Sequence, residues 1–342
     1  MGLSVALIVS VALVLGVIFV NGWTDAPNAI ATVVSTRCMS PRAAVIMAII
    51  LNTIGAGFMT LVSSEVADTM TKMVRFEGDT SNQALIVLAA SMFAIVVWAT
   101  AAWYFGIPTS ESHALIAGIT GGAIALGNGF DAIVPGEWSK VLIGLGASSI
   151  LGFSSGFLFS KLLVVIFRPV KRAIADRFFT RGQIFGAGCM AFMHGAQDGQ
   201  KFMGVFMLAL FLNGAASKNS EGAFDIKWWL IILCSVVMGL GTSAGGYRII
   251  KAVGMDMVKL ERHQGFAADL AAASVLLFCS LTGLPVSTTH TKTTAIMGVG
   301  SARRITSVNW GIVKEMVTAW VLTFPGCALL SYLMAKLCLI IF

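Results

Sequence analysis

Asp25 and Asp198 stand inside otherwise apolar sequence, in NGWTDAPN at 21–28 and MHGAQDGQK at 193–201. A carboxylate at membrane depth is expensive, and by default it is a functional residue rather than a structural one. Asn21, Asn28 and Gln197 would add neutral amide oxygens. Such an oxygen-rich set suits a hard cation such as Na+, or protons.

Two other stretches share one eight-residue frame, GIPTSESH at 106–113 and GLPVSTTH at 283–290. Each puts a Gly-x-Pro break and a run of hydroxyls immediately before a new helical run that begins at Ala114 or Thr291. A helix that starts in hydrocarbon leaves its first four N–H groups unpaired where no water reaches them. An anion is the natural partner, because the N-terminus behaves like roughly +0.5 of an elementary charge. Thr109, Ser110, Ser112, Ser287, Thr288 and Thr289 would surround that anion as substrate-binding residues, together with Asp25, Asp198 and Gln197. Two such starts imply one site built from both, as in transporters with discontinuous helices. Cation and anion would neutralise each other in low dielectric, which couples their binding.

Single Ser or Thr residues often serve only interhelical hydrogen bonds. The matched placement of Asp25 and Asp198 argues for function instead. His113 and His290 close the two hydroxyl runs at identical positions, and they either contact the anion or brace the hairpin tips through a backbone carbonyl. His194 could brace the Asp198 segment in the same way. Lys201 and Lys292 occur only in the second half and Glu111 only in the first, so an ion pair between Glu111 and one of the lysines competes with direct substrate contact.

The elements that position these residues follow from composition. The 342-residue chain is 57% hydrophobic and 11% charged, against roughly 25% charged in soluble domains. That is a polytopic membrane protein. Its net charge of +7 is carried in short loops between apolar runs, where bases orient a membrane protein rather than bind nucleic acid. The six cysteines have no C-x-x-C spacing, so no metal site or disulfide framework is expected. The first apolar run, 3–20, lacks a basic lead and a convincing cleavage site, and is expected to be a retained helix.

Taken in order, the chain predicts a broken helix over 3–37 with Asp25 in the gap, a plain span at 43–63, and an acidic loop containing Glu65, Asp68, Glu77 and Asp79. A helical hairpin at 83–127 and a long segment at 139–167 follow. Sixteen residues after the first hairpin break give about 24 Å, too short for a full span. A basic linker at 168–181 divides the halves, and the pattern restarts. The segment 193–201 is expected to interrupt the run 182–212, then come a span at 228–250, a hairpin at 266–299 and a last segment from Val308. Asp25 and Asp198 lie 173 positions apart, Pro108 and Pro285 177. Two anchors in one order at nearly constant offset indicate duplication.

The expected fold is therefore an all-α membrane protein of two inverted-topology repeats, 1–167 and 182–342, with broken helices, paired helical hairpins and roughly 10–12 hydrophobic segments. An odd number of crossings per half inverts the second. With both termini outside, the inner loops 37–42, 168–181, 248–262 and 301–307 hold thirteen Lys and Arg, and the outer loops 65–82, 128–138 and 214–227 hold four. The positive-inside rule agrees with that orientation.

With those residues in hand, the chain resembles the inorganic phosphate transporter (PiT) family. GWTDAPNAIATVVSTR is similar to the family's first G-x-x-D-x-x-N-A signature, HGAQDGQKFMGV to its second-half counterpart, and PTSESH and PVSTTH to its paired hairpin tips. The resemblance covers essentially the whole chain. It implies a secondary transporter of the plasma (cytoplasmic) membrane, not an enzyme. Such a transporter imports inorganic phosphate with Na+ or H+ through alternating access, in some bacterial members as a metal–phosphate complex. No cofactor is implied, and a homodimer is left open as a further association. The resemblance places Asp25, Asn28 and Asp198 at the cation and substrate site, and the six hydroxyl residues around phosphate. Gln197 stands where the family more often has Asn, and Glu111 where it more often has a small or hydroxyl residue. The family includes sulfate permeases, which makes sulfate the near alternative. An intramembrane Ser–His–Asp hydrolase is the remote one, disfavoured because every candidate occurs twice, whereas a hydrolase needs one nucleophile and one base.

Overall fold

The computed structural model describes residues 4–76, 81–107, 109–127, 129–217, 224–244 and 247–342. Glu77, Asp79 and the first hairpin's Pro108 lie outside the described residues. Regular structure among those described is helical, with two isolated antiparallel bridges, Val74–Ile133 and Val258–Val308.

The first half runs through α1 (Val5–Thr24), α2 (Pro27–Ser35), α3 (Pro41–Val62), α4 (Glu65–Lys72), α5 (Ser81–Phe105), α6 (Glu111–Ala125) and α7 (Pro135–Phe167). The second runs through α8 (Arg172–Leu212), α9 (Trp228–Ser243), α10 (Tyr247–Lys251), α11 (Arg262–Leu281), α12 (Thr288–Arg303) and α13 (Trp310–Ile341). Among the described residues, six stretches are long and apolar enough to cross a membrane, namely Val5–Ser35, Pro41–Val62, Ser81–Phe105, Pro135–Phe167, Arg262–Leu281 and Trp310–Ile341. The remainder of the expected segments are short, as in α6, α9 and α12, or too polar along their length, as in α8.

Local chemistry sets the ends. α1 stops at Thr24 and α2 starts at Pro27, which has no N–H to continue the ladder. Both hairpins turn on the same cap. Gly106 and Gly283 have φ of 70° and 67°. Just beyond them the N–H of Ile107 reaches Ala102 O at 3.0 Å and that of Leu284 reaches Cys279 O at 2.9 Å. These glycines adopt a left-handed conformation that closes α5 and α11.

The second half departs from expectation at 193–201. α8 is continuous from Arg172 to Leu212, and no break occurs around Asp198. That stretch contains Gly195 and Gly199 but no proline, and a glycine costs a helix only about 1 kcal/mol against alanine. Gly195 serves packing instead. A Cβ there would sit 2.1 Å from Asn52 O on α3, just as one at Gly22 would sit 2.2 Å from Met238 O on α9. The basic linker also differs from expectation, since only 168–171 lie between helices and 172–181 form the first turns of α8.

The halves interlock rather than sit side by side. α3 packs on α8 and α9 on α1, and the long closing helices exchange hairpins, α7 against α12 and α13 against α6. Leu142, Ile150, Leu158 and Val165 of α7 and Val321, Leu329, Leu333 and Ile340 of α13 stay exposed, an apolar outer surface suited to lipid. The polar residues gather inside.

Candidate functional site

Ser110 and Ser287 are the N-caps of α6 and α12, and each accepts a hydrogen bond from the backbone N–H three residues on, that of His113 or His290. Their hydroxyls bond to each other at 2.7 Å, so the two helix starts meet inside the protein. Both serines are fully buried.

Beside this junction lie the two aspartates. Asp25, in the turn between α1 and α2, accepts from Asn28 Nδ2 at 2.7 Å and from the Thr289 hydroxyl. Asp198 on α8 accepts from Asn21 Nδ2 at 3.3 Å, Ser112 Oγ at 3.4 Å and Lys201 Nζ at 2.6 Å. Thr288 bridges them, donating within 3.5 Å of Asp25 Oδ2 and 3.1 Å of Asp198 Oδ2. Residues 261–264 positions apart in sequence thus share one cluster. His194 joins it, with Nε2 3.4 Å from Asp198 Oδ2 and Nδ1 3.1 Å from Asn52 Oδ1.

The cluster fits a cation. Ligand atoms of Asp25, His194 and Asp198 all lie within 4.8 Å of one another. The side-chain carbonyl oxygens of Asn21 and Asn28 are buried beside them without a hydrogen-bond partner. A buried acceptor left unpaired costs about 1–3 kcal/mol, and a cation would relieve both. His194 belongs to this set, although sequence reasoning gave it only a bracing role.

Several expected site residues lie apart from the cluster. Thr109 is half-buried and its backbone N–H bonds Ile107 O. Gln197 donates to Leu284 O at 3.2 Å, holding the second hairpin tip. His113 and His290 face each other at 4.2 Å between ring centroids, His290 against Trp320 at 3.7 Å and His113 against Phe324 at 4.6 Å. They pack the junction onto α13 and do not join the bonds to the aspartates. Glu111 pairs with neither lysine. It accepts from Thr24 Oγ1 at 2.9 Å, because Lys201 is taken by Asp198 and Lys292 by Asp269.

A family profile described as the phosphate transporter family matches residues 21–331. The chain belongs to the phosphate transporter family. Its sequence is 39% identical over 313 residues to a probable low-affinity inorganic phosphate transporter of Bacillus subtilis strain 168, covering 92% of this chain and 91% of that one. A protein of the same description from Rhizobium meliloti strain 1021 is 38% identical over 320 residues, covering 92% and 91%. A solved structure of the sodium-dependent phosphate transporter superposes with a TM-score of 0.88 at 22% identity, covering 99% of this chain and 100% of that one. The fold is therefore that of a membrane transporter, and this phosphate transporter family chain is an integral multi-pass membrane protein, not an enzyme.

In this family member, sequence reasoning missed a second buried charge centre. Lys292 pairs with Asp269 on α11, which also accepts from Thr32 at 2.9 Å and Gln183 at 2.8 Å. The signal was an aspartate within the apolar run that begins at Phe266, as conspicuous by intramembrane cost as Asp25.

Proposed function

We propose that this chain imports inorganic phosphate across the plasma membrane by symport with a cation, Na+ or H+, through alternating access. The observation that carries the reading is the junction itself. Two buried helix N-termini meet at Ser110 and Ser287, and Thr288 reaches both Asp25 and Asp198 beside them. The relatives' description as phosphate transporters names the anion for those N-termini to hold.

Ser110, Ser112, Ser287, Thr288 and Thr289, with the first backbone N–H groups of α6 and α12, would surround phosphate. Asp25, Asn28, Asn21 and Asp198, joined by His194, would hold the cation. Two unit charges about 4 Å apart attract by about 4 kcal/mol at an effective dielectric of 20. Loading one ion therefore favours loading the other, and a half-loaded site is penalised. The paired caps at Gly106 and Gly283 give each hairpin a hinge, one opening to each side of the membrane.

That motion belongs to two inverted repeats, 1–167 and 182–342, with both termini outside. Matched hairpin caps, the exchanged packing of α7 and α13 and the basic bias of the inner loops support the arrangement.

Uptake of labelled phosphate by purified protein in liposomes, under imposed Na+ or H+ gradients, tests the proposal. Gradient-driven accumulation of phosphate is expected, with Na+ the first cation to try. Equal entry with and without either gradient would remove symport, and strong competition by sulfate would change the substrate.

A further inference from the structure

The two halves bring matched side chains to the site, and one of the positions where the match fails puts a lysine beside an aspartate. At the offset of 173 that relates Asp25 to Asp198, Asn28 corresponds to Lys201. At the offset of 177 that relates the hairpin caps, Thr289 corresponds to Ser112. Each aspartate therefore sits with a residue three positions on and with a hydroxyl from the other half's hairpin. Around Asp25 these partners are Asn28 and Thr289, around Asp198 they are Lys201 and Ser112.

The two groupings differ in what they leave unfilled. Asn28 Oδ1 is buried without a partner and adds an acceptor where a carboxylate already needs a positive charge. On the other side the Lys201 ammonium is surrounded by three oxygens, Asp198 Oδ1 at 2.6 Å, Ser112 Oγ at 2.6 Å and Val286 O at 2.5 Å. An ammonium has three hydrogens to donate, and all three are used. A carboxylate, a hydroxyl and a tip carbonyl are also the ligand types that hold a small hard cation. Lys201 is fully buried, and its ammonium, being tethered to the chain, cannot leave the site as a free cation does.

We infer that the ammonium of Lys201 replaces a second bound cation, so that this chain carries one exchangeable cation between Asp25 and the Oδ2 side of Asp198 and a permanent one, the ammonium, at Asp198 Oδ1. The inference rests on the symport reading for the Asp25 side only. Its consequence is a coupling stoichiometry lower by one cation than a site with an amide at both positions would have.

Equilibrium binding of 22Na+ to the purified full-length protein in detergent tests this with wild type, Lys201→Asn, Asp25→Asn and the double variant. The substitution gives the second half the amide that the first half has. Lys201→Asn is expected to bind about one more Na+ per chain than wild type, and adding Asp25→Asn should remove only one. A folded, monodisperse Lys201→Asn protein that gains no Na+ would overturn the inference. Wild type itself provides a check that needs no variant, since two Na+ per chain would overturn the inference and one supports it. Failure of the Na+ form of the symport reading looks different. Wild type would then bind no Na+ that Asp25→Asn removes, while Lys201→Asn still gains one.

Discussion

The side-chain oxygens of Ser110 and Ser287 lie 2.7 Å apart across 177 positions of sequence. Each hydroxyl also caps its own helix, so one contact joins the two helix starts and satisfies an end of each. Ser110→Ala should cost about 1 kcal/mol of helix-capping stability. It should also raise the phosphate concentration for half-maximal uptake by on the order of tenfold, equivalent to about 1.4 kcal/mol. Ser110→Thr keeps the oxygen and should preserve most of the affinity, which kinetic assays on matched amounts of inserted protein would reveal.

Asp25→Asn and Asp198→Asn should both abolish coupled uptake, yet they should differ in stability. Asp25 is held by neutral donors, Asn28 and Thr289. Asp198 neutralises a fully buried Lys201, and removing one partner of a buried pair costs about 3–5 kcal/mol. Thermal unfolding in detergent should therefore show Asp198→Asn well below Asp25→Asn, with Lys201→Asn restoring part of the loss when combined. Equal melting temperatures for the two single variants would contradict the pairing.

The Lys292–Asp269 pair has no counterpart in the first half. The corresponding residues at the 177 offset are Leu115 and Met92, both in the apolar core. Lys292→Leu or Asp269→Met alone strands a buried charge and should destabilise by about 3–5 kcal/mol. The double substitution reproduces the apolar solution of the first half, and it should recover most of that stability. A double-mutant cycle read by thermal unfolding checks the coupling, and additive losses would show that the pair does not act as a unit.

Close contact of α3 with α8 predicts a sharp contrast between two glycines. Gly195→Ala would place a carbon 2.1 Å from the Asn52 carbonyl, whereas an added carbon at Gly136 meets nothing within 4 Å. Overpacking of this kind costs about 1–3 kcal/mol. Gly195→Ala should lower both melting temperature and uptake, because Asn52 also holds His194, while Gly136→Ala should leave both unchanged.

How far the site was legible in the sequence can be judged at Asp198. Its cost in hydrocarbon marked it at once, but its partner was hidden by the expectation of a break at 193–201. On a continuous helix, residues three apart share a face. Asp198 and Lys201 are such a pair, so an unbroken α8 would have exposed the ion pair directly. Glycine alone misled there, since without a proline the backbone can continue.

By itself the sequence determined that this chain is a helical membrane protein with two hydroxyl-capped helix starts and with Asp25 and Asp198 at matched intramembrane positions. Hydrophobicity, proline and charge act locally and need no knowledge of neighbours. Only the tertiary structure decided which lysine meets which acid, that the histidines pack on each other against α13, and that Thr288 stands between Asp25 and Asp198. Those contacts join residues far apart in the chain, and they depend on how closely the helices of one half approach the hairpin of the other.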